Sequence, residues 1–144
     1  MIPTKITQEH LKGIAALEAL TFAEPWSEKA LILLLSDSAV GFTCLAGECP
    51  VAYVGMLTVL DEGQITNVAT HPDYRRRGLA DALLTTLLQE ARRRCLSVVS
   101  LEVRESNTAA IALYEKHGFY VAGKRNNFYK NPREHALVML CELS

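Results

Sequence analysis

The segment Thr70-His71-Pro72-Asp73-Tyr74-Arg75-Arg76-Arg77-Gly78-Leu79-Ala80 joins a strand-like run to a long helical one, and its reading decides the fold. A helix start leaves about four backbone N–H groups without partners and carries roughly half a positive charge. Gly78 and Ala80 have little or no side chain, so an anion can approach those amides closely. Arg75, Arg76 and Arg77 add fixed positive charge in front of them. Together these features suit a pyrophosphate. The segment is not a P-loop, since no Gly-Lys-Ser/Thr follows, and it lacks the spaced glycines of a dinucleotide fingerprint. The same residues also read as a solvated charge run with an ordinary turn glycine. Arg92-Arg93-Arg94, in the last turn of the same helix, favours the negative end of the helix and needs no ligand.

Working outward from this segment, Gly78 to Arg94 reads as a helix with Leu79, Ala82, Leu83, Thr86, Leu87 and Glu90 at 3.6 spacing. Val98 to Val103 is a nearly continuous apolar run, as expected of a buried parallel strand. Asn107 to His117 reads as a short helix with Gly118 as its cap, followed by strands at Phe119–Tyr129 and His135–Leu143. Upstream, His10 to Phe22 has helical periodicity, with Leu11, Ile14, Ala15, Leu17, Glu18 and Thr21 in its repeat, up to the interruption at Pro25. Ser27 is an N-cap for a second helix running to about Leu35. Phe42–Ala46 and Val51–Leu60 form a hairpin around Gly47–Pro50. Asp61–Gly63 is a turn, and Gln64–Thr70 is a strand that Pro72 ends. Ile2–Thr7 offers one more strand. The order predicts an α/β protein of the mixed α+β kind, with a strand–helix–strand–helix centre.

The chain of 144 residues falls in the size range of one domain, 1–144, with no dividing linker, internal repeat or low-complexity tract. Its 49% hydrophobic content supplies one core and excludes intrinsic disorder. A formal net charge of −1 gives no global pull toward nucleic acid or an anionic membrane, so neither partner is expected. The longest apolar stretch, Ala30 to Leu35, is far too short to span a bilayer. The first ten residues lack the apolar region of a signal peptide. Cys44, Cys49, Cys95 and Cys141 form no C-x-x-C pair. They read as reduced, mostly buried thiols of a cytoplasmic protein, with no metal expected.

Further segments carry a resemblance. R-x-x-G-x-A between a strand and a helix is similar to the coenzyme A signature of the GNAT N-acetyltransferase superfamily. Phe22-Ala23-Glu24-Pro25-Trp26-Ser27 resembles the F-x-x-P-W-S segment of bacterial ribosomal-protein alanine N-acetyltransferases. Leu101-Glu102-Val103-Arg104 with Ser106-Asn107 resembles their L-E-V-R-x-S-N. Ala110-Ile111-Ala112-Leu113-Tyr114-Glu115 with Gly118-Phe119 resembles their A-I-A-L-Y-E…G-F. The match runs in order through nearly the whole chain. It implies the GNAT acyl-CoA N-acyltransferase fold, with six or seven strands and four helices, and acetyl-CoA as co-substrate. It also implies that the acceptor is a protein N-terminus, that of a small-subunit ribosomal protein.

The residues themselves allow that chemistry. An N-terminal amine has a pKa of about 8 against about 10.4 for lysine, a gap worth roughly 3.4 kcal/mol, so a carboxylate can serve as the base. Glu102 lies opposite Val99, Leu101 and Val103 on the strand, with Ser100 and Arg104. By itself it is a base, the partner of Arg104 in an ion pair, or a surface-facing strand position. Tyr114, two helical turns beyond Asn107, is either a proton donor or a core aromatic. The resemblance implies that Glu102 is the proton acceptor and Tyr114 the donor to the thiolate. It also implies that Asn107 contacts coenzyme A, although alone it would be a helix cap. The resemblance further implies that Val68, Ala69 and Thr70 meet the cofactor through their backbone, with an amide near Val68 facing the thioester carbonyl. The cradle Arg75, Arg76, Arg77, Gly78, Leu79 and Ala80 completes the cofactor set. His71 and His117 are weaker candidates for a base.

For the acceptor, Pro25, Trp26 and Tyr129 are candidates for a narrow slot around a first residue. Arg125-Asn126-Asn127-Phe128-Tyr129 resembles the family's R-x-x-Y-Y, with Phe128 in place of the first tyrosine. Trp26 and Phe128 also read as core residues. Two other functions fit the same motifs: acetylation of lysine side chains or small amines, and a non-catalytic acyl-CoA-binding module. The joint presence of Glu102 and Tyr114 argues against the second.

Overall fold

The computed structural model describes residues 1–143, which form a seven-stranded mixed sheet with helices on both faces. The elements in chain order are β1 (Thr4–Lys5), α1 (Leu11–Thr21), α2 (Glu28–Leu31), β2 (Ala39–Ala46), β3 (Cys49–Val59), β4 (Glu62–Thr70), α3 (Leu79–Arg93), β5 (Val98–Arg104), α4 (Thr108–Lys116), β6 (Tyr120–Tyr129) and β7 (Glu134–Glu142). Short 3₁₀ turns precede α1, follow α2 and precede α3. The strand order is β1-β2-β3-β4-β5-β7-β6, so β7 inserts between β5 and the edge strand β6.

Alternation along β3 divides the core. Ala52, Val54 and Met56 pack under α3 with Leu83, Leu84 and Leu87, while Tyr53 faces α1 with Leu11, Ile14 and Leu17. The caps expected from sequence form. Ser27 Oγ accepts from the Ala30 N–H at 3.1 Å, Asn107 Oδ1 accepts from Ala110 N–H at 3.2 Å, and Gly118 follows α4 at φ 92°.

Four local readings are corrected. The β2–β3 turn is only Gly47–Glu48, and Pro50 lies within β3, where a bulge beside Leu45 accommodates its missing N–H. The next turn is Leu60–Asp61, with Leu60 left-handed at φ 55°, and β4 starts at Glu62. β5 is parallel to β4 over only three residue pairs and antiparallel to β7 along its whole length, so its burial alternates. Cys44 and Cys141 are buried, but Cys49 and Cys95 are exposed.

Candidate active site

The central feature is a splay between β4 and β5. The two strands pair at Glu62–Val98, Gly63–Val99 and Gln64–Ser100, then part. A bulge in β4 lies at the point of divergence. Gly55 of β3 opposes Asn67 and Met56 opposes Ile65, which leaves Thr66 as the extra residue. A bulge bends its strand and sharpens the local twist, turning β4 away from β5. Gly55 permits it: a Cβ there would lie 2.6 Å from Thr66 Oγ1 and 2.9 Å from a Leu34 methyl. Beyond the bulge, β4 has no partner on its β5 side, so backbone polar groups of both strands face the gap.

The gap opens into a cleft of about 690 Å³. Val68, Thr70, Arg75, Arg76, Leu79 and Ala80 line one side of it, and Asn107, Leu113 and Tyr114 line the other. Ala69, Arg77 and Gly78 do not line it. The Ala69 side chain turns into the α1-side core, and Arg77 folds back over the Tyr74 ring at 4.8 Å. Gly78 caps α3 in the left-handed region at φ 77°, and Arg76 is left-handed at φ 64°. Among the described residues no side chain caps the first amides of this helix, which is 15 residues long.

Glu102 lines the cleft half-buried, with Leu101 and Val103 on the strand to either side. Among the described residues it has no ion pair or hydrogen bond, because Arg104 bonds elsewhere: its guanidinium reaches Glu134 at 3.2 Å. Tyr114 is 8% exposed and packs against Phe119, and its hydroxyl, unpartnered within the fold, opens on the cleft. Burial first, then neighbouring Tyr129, raises the Tyr114 phenol well above the ordinary value. Tyr129 is pushed up to about 12 by burial and then by the charge of Glu102. Glu102, Tyr129 and Tyr114 are therefore electrostatic neighbours: one unpaired carboxylate and two phenols that keep their protons at neutral pH.

A second cavity of about 450 Å³ adjoins the first and shares Thr21, Phe22, Asn67, Arg104 and Tyr129 with it. Trp26, Glu24 and Phe128 wall its outer part. Trp26 is half-buried against the α1-side core, Phe128 is 43% exposed, and Pro25 is exposed and does not line the slot. His71 Nδ1 accepts from the Asp73 N–H, His117 pairs with Asp81 at 2.8 Å, and neither lines either cavity. Sequence reasoning missed Glu18, which it placed in the periodic face of the first helix. The carboxylate is wholly buried and bonded to Trp26, Tyr53 and Asn67. The signal was present as a lone acid on an apolar helix face.

Residues 11–119 match the model of the acetyltransferase (GNAT) family. The chain belongs to that family. Members use acetyl-CoA as acyl donor. This GNAT chain is 39% identical over 130 residues to the ribosomal protein bS18-alanine N-acetyltransferase of Escherichia coli strain K12, spanning 89% of this chain and 88% of that one. It is 32% identical over 142 residues to the enzyme of the same name from Haemophilus ducreyi, spanning 96% and 97%. The crystal structure of the Escherichia coli enzyme superposes with a TM-score of 0.89 at 36% identity, covering 99% of this chain and 95% of that one. The mixed seven-stranded sheet with four helices is thus the GNAT fold expected from the motifs. Among the described residues, no helix is long and apolar enough to cross a membrane. Among the described residues, no group of three or more His, Cys, Asp or Glu side chains could hold a metal ion.

Proposed function

We propose that this chain transfers the acetyl group of acetyl-CoA to the α-amine of an N-terminal alanine, that of ribosomal protein bS18. The observation that carries the reading is an unpaired carboxylate in the main cleft, electrostatically coupled to the tyrosine at which the second cavity joins it. Glu102 lines the main cleft, and Tyr129, whose phenol its charge raises, lines both cavities. Relatives 32–39% identical over most of their length bear the name of that activity.

The residues present fit coenzyme A. Arg75, Arg76 and the amides of Leu79 and Ala80 would hold its phosphates, and the unpaired β4 edge at Val68–Thr70 would meet its peptide-like arm. Thr66 Oγ1, buried without a partner at the bulge, is an unfilled polar position beside that edge. Bound acetyl-CoA supplies the thioester that the amine attacks.

The chain's own residues then divide the protons between them. Glu102, with no ion-pair partner among the described residues, takes the proton that the amine loses. Tyr114 holds a proton at Oη throughout the neutral range and lines the same cleft, where it would donate that proton to the departing thiolate. A backbone N–H near Val68, freed by the splay, is placed to receive developing negative charge on oxygen. An α-amine near pKa 8 is neutral far more often than a lysine at neutral pH, which a modest carboxylate base requires.

Incubation with acetyl-CoA and two peptides, followed by mass spectrometry, tests the reading. A peptide with a free N-terminal alanine should be acetylated at that amine. The same peptide with a blocked N-terminus and free lysines should react much more slowly. Equal rates, with acetyl on lysine, would replace the proposal by a side-chain acetyltransferase.

A further inference from the structure

Glu18 lies with Leu11, Ile14 and Leu17 on the buried face of α1 and has no exposed surface. A carboxylate in that position is costly unless its lone pairs are used, and an apolar side chain would serve packing better. They are used. Oε1 accepts from the Trp26 N–H at 2.8 Å, and Oε2 accepts from the Tyr53 hydroxyl and from Asn67 Nδ2 at 2.8 Å. The carboxylate therefore ties the α1–α2 loop, β3 and β4 together at one point. Two of its three partners, Trp26 and Asn67, wall the acceptor slot, and Asn67 also lines the main cleft.

The network fixes how Asn67 faces. With Oε1 taken by a backbone N–H and Oε2 by a phenol that keeps its proton, Glu18 is an acceptor only. The Asn67 carboxamide must turn its NH₂ to Glu18, which points Oδ1 the other way. Among the described residues, Thr66 Oγ1 is the one buried side-chain oxygen without a partner. Asn67 Oδ1, which bonds nothing in the fold, therefore opens on the cavities that its residue lines.

We propose that Glu18 is a positioning residue for the acceptor: it locks the Asn67 carboxamide so that Oδ1 receives one N–H of the incoming amine. No proton moves in this contact. It aims the amine, while Glu102 takes the proton released by the attack. The inference rests on reading the slot as the acceptor's site.

Steady-state kinetics on Asn67→Ala, Glu18→Gln and the double variant, with an alanine-first peptide, test it. Asn67→Ala should raise the acceptor KM about ten-fold, the worth of one lost hydrogen bond in a desolvated site, with the acetyl-CoA dissociation constant within about two-fold. Glu18→Gln places an NH₂ where one carboxylate oxygen stood and frees Asn67 to flip, so it should show a similar acceptor defect. The double variant should be no worse than Asn67→Ala by more than about two-fold, because both changes remove one effect. An unchanged acceptor KM in Asn67→Ala, or losses that multiply in the double variant, would overturn the proposal. If Glu18→Gln does not fold, Asn67→Ala decides alone. If the wild type acetylates lysine instead, the acceptor class proposed above fails, and the same ratios on the lysine peptide still decide the role of Asn67.

Discussion

Glu102 and Arg104 stand two residues apart on one face of β5 and form no ion pair. The Arg104 guanidinium donates to Glu134 Oε1 at 3.2 Å and to the carbonyls of Pro132 and Lys130 at 2.9 and 3.0 Å, and it lies 4.5 Å over the Tyr129 ring. The other Glu134 oxygen accepts the Ser106 N–H at 2.6 Å. The bonds from Ser106, then the Arg104 charge, hold the Glu134 carboxyl below the usual range. The cation nearest in sequence to Glu102 is therefore committed to the β6–β7 loop and to the tyrosine of the slot. Glu102 is left without an ion-pair partner among the described residues, as the proposed role of base requires.

That freedom makes a kinetic prediction. Glu102→Gln keeps size and polarity but cannot accept a proton, so kcat should fall by roughly 10²–10⁴ while acetyl-CoA affinity changes little. The defect should shrink as pH rises through about 8, where more of the acceptor amine is already neutral. Initial rates from pH 6 to 9 check it. A variant with full kcat across that range would remove Glu102 from the mechanism.

Tyr114→Phe should show no such pH relief. The phenol is raised by burial and by Tyr129, so the wild type keeps this proton even above the ordinary value of about 10. A group raised in this way loses its proton only above that value, so no fall in wild-type kcat between pH 8 and 10 should trace to it. Tyr114→Phe should lower kcat by roughly 10²–10⁴ with no relief at high pH. The same rate series with both variants separates the two roles.

What was legible in the sequence is what local rules govern. The cap at Asn107, the left-handed Gly118 and the strand-to-helix turn that ends at Gly78 each depend on a few adjacent residues, and each formed. The alternation of Val99, Leu101 and Val103 put Glu102 on the opposite side of β5, where it lines the cleft. What stayed hidden needs a partner distant in the chain. The Thr66 bulge depends on the missing Cβ of Gly55 across the ladder. The true partner of Arg104 is 30 residues away, which is why an ion pair with Glu102 remained open on sequence grounds. Glu18 draws on residues 8, 35 and 49 positions away, so its helix pattern showed only an acid on the wrong face.

The bulge makes a packing prediction. Gly55→Ala would press a methyl to 2.6 Å from Thr66 Oγ1 and 2.9 Å from Leu34, against a strand that must stay bulged. Overpacking of this kind costs about 1–3 kcal/mol. The variant should unfold at lower denaturant. Because relief of the clash requires β4 to shift, acetyl-CoA binding should weaken as well. Loss of stability with an unchanged dissociation constant would separate the bulge from the cleft.

Gly47 and Gly78 provide a matched pair for testing the cradle. Both are left-handed, at φ 64° and 77°, and a Cβ at either would meet no atom of the protein within 4 Å. Alanine at either position thus carries the same backbone strain, about 1–2 kcal/mol, and no steric clash. They differ in place: Gly47 lies in the β2–β3 turn, and Gly78 caps the free amides of α3 beside Arg76, Leu79 and Ala80. The two variants should lose similar stability. Only Gly78→Ala should weaken acetyl-CoA binding, by about ten-fold, because strain at this cap displaces the amides of Leu79 and Ala80 that directly follow it. Thermal melts and isothermal titration on the pair measure both effects. Equal affinities in the two variants would show that the amides at the start of α3 do not hold the cofactor.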